Sequence, residues 1–261
     1  MTVFRHEMKQ GSPVLIVWTL AISFLLGVSI LIYPQMATQV DEISKMFSDM
    51  GSFTEAFGMN RVNFGEFSGY FAVECGNVLG LGGAFYAALL GAGILAKEEE
   101  KHTAEFLLTH PVSRVRILAE KLLSLIARAF LLTLGVAAVS LLCSVLIGEK
   151  MPADLFALLF LAYFLQQCVL ACVTFGVSAF LRRGSAGVGI ALAAVTYFLS
   201  ILANLVEETE FLKYLTSFSF ADGTVIAADH AIPVKYLLAG IGFAAAGVLA
   251  AFLNYPRKDI A

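Results

Sequence analysis

The polar side chains that could do chemistry in this sequence sit inside long apolar runs. Glu74 and Asn77 are three apart, so a helix puts them on one face. Arg128 follows Lys121 by about two helical turns, roughly 10 Å. Gln166 and Gln167 are adjacent, and Tyr197, Ser200 and Asn204 follow a single helical face. In hydrocarbon such groups are costly, which makes each a candidate for lining a substrate path. Hydrogen bonds between helices account for them equally well. Arg128 can also snorkel to the aqueous surface or pair with the charged segment that precedes it. Other chemistry finds little support. Cys75, Cys143, Cys168 and Cys172 all lie in or at apolar runs, and Cys168 and Cys172 share a face with no His or carboxylate beside them. That is poor metal-ligand spacing, and small apolar packing suits them better. His6, His102, His110 and His230 form no His-Glu-x-x-His pattern, and no nucleophile–base arrangement stands out. No Gly-x-x-x-x-Gly-Lys-Ser/Thr phosphate loop is present, so the chain is not expected to hydrolyse ATP, and no catalytic or metal residue is assigned. Gly80, Gly82 and Gly83 sit mid-run with no strand before them. With Gly76, Ala87 and Gly91 they read as a small-residue stripe for close helix contact, within the chain or between two copies.

The elements that must carry these residues follow from composition. Of 261 residues 59% are hydrophobic and 14% charged, with a net charge of −3. A soluble domain carries about 25% charged residues, so a soluble enzyme is excluded. So is a disordered chain, and a weakly acidic chain is not a free nucleic-acid binder. Six apolar runs have the length of membrane helices: 14–33, 71–96, 122–147, 155–181, 188–206 and 234–253. The chain therefore reads as an all-α membrane protein, one transmembrane domain over 1–261 with an even number of spans. Pro13 precedes the first span and Pro34 ends it. Arg5 and Lys9 precede that run, but it is long for a signal peptide and no small-residue cleavage site follows, so it is read as an uncleaved span.

With both ends cytoplasmic, the inner segments hold Arg5, Lys9, Lys97, Lys101, Arg114, Arg116, Lys121, Arg182, Arg183, Arg257 and Lys258. The outer ones hold Lys45, Arg61, Lys150, Lys213 and Lys235. The positive-inside rule favours that orientation. Residues 1–12 place Phe4 and Met8 on one face beside Arg5 and Lys9, which suits an interfacial elbow helix. The extracytoplasmic segment 34–70 carries Ile43, Met46, Phe47 and Met50 at helical spacing opposite acids, followed by Phe53, Phe57, Phe64, Phe67 and Tyr70 as interface aromatics. In 207–233, Phe211, Leu215 and Phe218 share a face before a turn at Asp222-Gly223, which suggests an outer-surface helix.

Residues 97–121 form the most distinctive segment. Glu98, Glu99 and Glu100 open a charged helix start, Phe106, Leu107 and Leu108 form an apolar patch, Pro111 breaks it, and Ser113 can N-cap a helix entering the third span. Such a helix–break–helix is a docking surface for a soluble partner, or a solvated loop. Its Thr103-x-Glu105-apolar stretch followed by Pro111-Val112-Ser113-Arg114 resembles the first cytoplasmic loop of exporter-type (type-2) ABC transporter permeases. His102 stands where that family usually has Gly. The six-span layout, the basic N-terminus, the long outer loop and the ending Tyr255-Pro256-Arg257-Lys258-Asp259-Ile260 are similar too. Permeases associated with copper-enzyme maturation belong to the same broad family, though no Met or His ligand cluster supports direct copper transport.

The resemblance implies a membrane-spanning exporter subunit in the cytoplasmic membrane of a prokaryote. It would pair with a second permease, identical or homologous, and dock two copies of an ATP-binding subunit, which would supply ATP and Mg; the chain itself would carry no cofactor. Glu98, Glu99, Glu100, Thr103, Glu105, Phe106, Leu107 and Leu108 would form the coupling helix inserted into the ATPase, with Pro111, Ser113 and Arg114 as the break and next helix start. Glu74, Asn77, Arg128, Gln166, Gln167 and Asn204 are the candidate path-lining residues, and membrane lipid is the surrounding partner. The alternative is a self-contained secondary transporter or channel. That would call for internal repeats and midplane charges, whereas the six spans are unequal and only Arg128 is deeply placed.

Overall fold

Helix α1 runs unbroken from Thr2 to Ala37 with both Pro13 and Pro34 inside it. The computed structural model describes residues 2–39, 61–97, 113–181 and 186–257. At helical rise, the 36 residues of α1 reach about 54 Å, well past the hydrocarbon core of roughly 30 Å. The separate elbow expected over residues 1–12 is therefore corrected: among the described residues it is simply the first turns of the first spanning helix. The physical reason is local. Pro13 cannot donate to the Lys9 carbonyl, and the Ser12 hydroxyl donates to it instead at 2.9 Å. Glu7 and Gly11 are buried on one face of these first turns, and a continuous helix keeps them there.

The remaining elements are α2 (Phe67–Gly93, with a π-helical turn over Gly76–Gly80), α3 (Arg114–Leu146), α4 (Ala153–Ser178), α5 (Ala186–Leu205), a 3-10 stretch (Glu207–Tyr214), α6 (Gly223–Asp229) and α7 (Val234–Asn254). Six of these helices are long and apolar enough to cross a membrane, and no strand occurs among the described residues. The chain is an all-α, multi-pass membrane protein.

Helix α4 is the hub. It packs on α2, α7 and α3, while α1 lies along α3 and α5 along α2. The most apolar windows of α2 and α4 are 56% buried against 17% for α5 and α7, so the first two build the interior and the last two face outward. Exposed leucine, valine and phenylalanine side chains cover the outer faces of α1, α3 and α7, as a lipid-facing surface requires. The glycine stripe of α2 is an intrachain contact. A Cβ at Gly80 would stand 3.0 Å from the Tyr163 ring, one at Gly83 2.6 Å from the Gln167 amide nitrogen, and one at Gly91 2.7 Å from the Ala171 carbonyl. Helices α4 and α7 meet backbone to backbone: a Cβ at Gly176 would fall 2.5 Å from the Gly247 carbonyl oxygen.

The starts of α1 and α3 and the ends of α2, α4 and α7 gather at one end of the bundle. The Leu95 N–H donates to Ser178 Oγ at 3.1 Å and Arg114 Nη1 donates to the Pro256 carbonyl at 3.0 Å. At the opposite end Tyr33 donates to the Gly65 carbonyl at 3.0 Å and packs against the rings of Phe67 and Tyr70. Phe67 and Tyr70, expected as interface aromatics, are buried here and close the bundle instead. Phe211 is 64% exposed whereas Phe218 is buried, so the single face expected for Phe211, Leu215 and Phe218 does not form; a 3-10 stretch stops at Tyr214. Asp222-Gly223 is a helix start, not a free turn: Asp222 Oδ1 accepts from the N–H groups of Thr224 and Val225. The amphipathic segment Ile43–Met50 with Phe53 and Phe57, the Arg182-Arg183 loop and residues 258–260 lie outside the described residues.

Candidate functional site

The residues expected to form a coupling helix, Glu98, Glu99, Glu100, Thr103, Glu105, Phe106, Leu107 and Leu108, and the expected break at Pro111, also lie outside the described residues. Their two stems are described. Lys97 ends the first stem and Ser113 begins the second, where its hydroxyl accepts from the Arg116 N–H at 3.3 Å and so caps α3.

Both stems converge on one buried carboxylate, Glu7 of α1. Lys97 Nζ lies 2.6 Å from its Oε2 and Lys121 Nζ 2.7 Å from its Oε1, and Arg128 Nη2 lies 3.6 Å from Oε2. Lys121 also donates to the Ile94 carbonyl at 3.0 Å, so α3 is tied to the end of α2. Arg128 does not snorkel. It is buried, and it donates to the Ser124 carbonyl and hydroxyl at 3.2 Å each. Gly11 makes room for its guanidinium, since a side chain there would collide with it. A second tie runs from the Phe4 N–H to Glu120 Oε2 at 3.0 Å, with Arg116 Nε on Glu120 Oε1 at 3.0 Å. Buried charges persist only when paired and hydrogen-bonded, and this cluster meets that condition. Sequence reasoning does not single out Glu7. It sits between Arg5 and Lys9 and reads as part of a basic tail, and its partners are 90 or more residues away.

The remaining candidates divide into two groups. Gln166 and Gln167 are fully buried in α4. Gln167 Nε2 donates to Thr133 Oγ1 at 3.1 Å, which joins α4 to α3, while both amide atoms of Gln166 lack a hydrogen-bond partner among the described residues. They hold positions between packed helices and line neither described cavity. Asn77 and Asn204 are brought together. Asn77 lies in the π turn of α2 and Asn204 near the end of α5, and both line a pocket of about 70 Å³ with Tyr197 and Ser200. Glu74 is half-buried one turn before Asn77 and is not among the lining residues. A larger cleft of about 220 Å³ adjoins it and shares Asn204 and Asp222 with the pocket. The meeting of Asn77 with Asn204 had no signal in the sequence, because they are far apart in the chain and no periodicity links α2 to α5.

A six-helix membrane bundle with a charged cluster at one end and a polar recess at the other is the architecture of a transport component. The chain matches the family described as ABC-2 family transporter protein over residues 1–260, and it belongs to that family. Members of that family are membrane permease components of ABC transporters. Among curated proteins none matches the chain.

Proposed function

We propose that this chain is the membrane-spanning subunit of an ATP-driven exporter, oriented with Lys97 and Arg114 toward the cytoplasm. It pairs with a second permease and docks an ATP-binding subunit through residues 98–108. The observation that carries this reading is the Glu7 cluster. It fastens the end of α2 and the start of α3, the two stems of that segment, to the start of α1. A force applied by an ATPase between Lys97 and Ser113 is then transmitted to three spanning helices together. ATP and Mg belong to the partner; this chain supplies the acidic and apolar docking side chains Glu98, Glu99, Glu100, Glu105 and Phe106–Leu108, and the helices whose movement switches access between the two permease subunits.

The test is charge reversal at Glu105 in the reconstituted complex. Glu105→Arg is expected to lower ATPase activity severalfold while the permease stays folded in the membrane. Unchanged ATPase activity contradicts docking through this segment.

A further inference from the structure

We propose that the pocket at the outer ends of α2 and α5 is a binding site for a hydroxyl-bearing head group, a sugar or other polyol. Among its described lining residues no lysine or arginine occurs. Its polar walls are the amides of Asn77 and Asn204 and the hydroxyl of Ser200. Amides and hydroxyls both donate and accept, which matches a group that does the same and offers nothing specific to an ion. The one carboxylate, Asp222, has Oδ1 taken by the Thr224 hydroxyl at 2.6 Å and backbone N–H groups, with Arg61 at 3.9 Å from Oδ2. It is thus held as a fixed acceptor. Tyr197, packed edge to face on Phe218 at 5.2 Å, supplies an aromatic wall against which the C–H face of a sugar can rest.

Behind the pocket wall, and not among the lining residues, one buried polar group is left unsatisfied. The hydroxyl of Tyr163 is fully buried and has no hydrogen-bond partner among the described residues, whereas buried tyrosine hydroxyls usually find one. It lies directly behind two glycines of the pocket wall: a Cβ at Gly76 would be 3.2 Å from it and one at Gly223 2.5 Å. The wall itself includes part of the π turn, a feature concentrated at functional sites. A space of about 70 Å³ takes a few hydroxyl-sized groups. The outer cleft of about 220 Å³, rimmed by Arg61, Lys213 and Lys235 with Asp222 and Asp229, accommodates the remainder. Its mixed charges select neither sign strongly. This site rests on the transport reading only in that the chain handles a solute.

The test uses the full-length chain in phosphatidylcholine nanodiscs, with no ATPase present. Ile201→Cys, on the same wall and outside the polar groups named above, is labelled with a methanethiosulfonate reagent, with the unsubstituted chain as background, and Ala221→Cys replaces it if it does not fold. Hexyl-β-D-glucoside, free D-glucose and hexylphosphocholine are the probes. The glucoside is expected to slow labelling at least threefold, hexylphosphocholine is not, and Asn77→Leu is expected to abolish the protection. Protection by free glucose as well identifies a soluble polyol; protection by the glucoside alone identifies a lipid-borne one. Equal protection by hexylphosphocholine, or none by either sugar, overturns the proposal. Because no partner is needed, a negative result here leaves ATPase docking untouched, and the converse also holds.

Discussion

Removing the Glu7 carboxylate takes away the acidic partner shared by Lys97, Lys121 and Arg128. Breaking one partner of a buried ion pair costs about 3–5 kcal/mol, because the remaining charge is left uncompensated. Glu7→Gln is therefore expected to lower stability by about 3 kcal/mol, read as a loss of thermal midpoint in detergent. Arg116→Ala, which removes a side chain 60% exposed in its pair with Glu120, is expected to cost no more than about 0.5 kcal/mol. Equal losses in the two variants contradict the cluster. Gln166 is the converse case. Its amide is buried with both polar atoms unpartnered among the described residues, and an unsatisfied buried group costs about 1–3 kcal/mol. Gln166→Leu is expected to be neutral or stabilising in the same melting experiment; a clear loss contradicts an unsatisfied amide.

At the scale of elements, glycine decides how closely the helices approach. Gly176 and Gly247 put the backbones of α4 and α7 in direct contact, and a β-branched side chain there forces them apart. Gly176→Val is expected to destabilise by about 1–3 kcal/mol, whereas Gly242→Ala, with nothing within 4 Å of its Cβ position, is expected to be tolerated or slightly stabilising by helix propensity. Thermal melts of both variants separate the cases. The six spans were legible because an uninterrupted apolar run of about 20 residues matches the thickness of a bilayer and exceeds what a soluble core helix needs. Their ends were less so. Pro13 reads as a boundary, yet Ser12 takes over the carbonyl it strands and burial of Glu7 and Gly11 holds the helix straight through. The π turn at Gly76–Gly80 had no separate signature, since a glycine stripe serves α and π geometry alike. The contact made by that stripe was open between an intrachain and an intersubunit partner; the side chains that fill it, Tyr163, Gln167 and Thr174, belong to α4.

Across the whole molecule, the two regions with concentrated polar groups lie at opposite ends. One end ties α1, α2 and α3 together through charge; the other holds Asn77, Ser200 and Asn204 around a recess between α2 and α5. Helix α4, packed on α2, α3 and α7, spans the distance between them. The sequence marked residues 98–112 as a candidate docking segment by composition and by resemblance to type-2 permeases, but could not signal the ion pairs of its stems, because pairing over 90 residues or more leaves no local pattern. The most direct test of the central claim is co-purification of the tagged chain with its ATP-binding partner from native membranes, followed by ATPase measurement in lipid, with Phe106→Asp alongside. A complex that retains the ATPase, and loses it or its activity severalfold in Phe106→Asp, is the expected result. A chain that purifies stably alone and moves a solute down an ion gradient contradicts it.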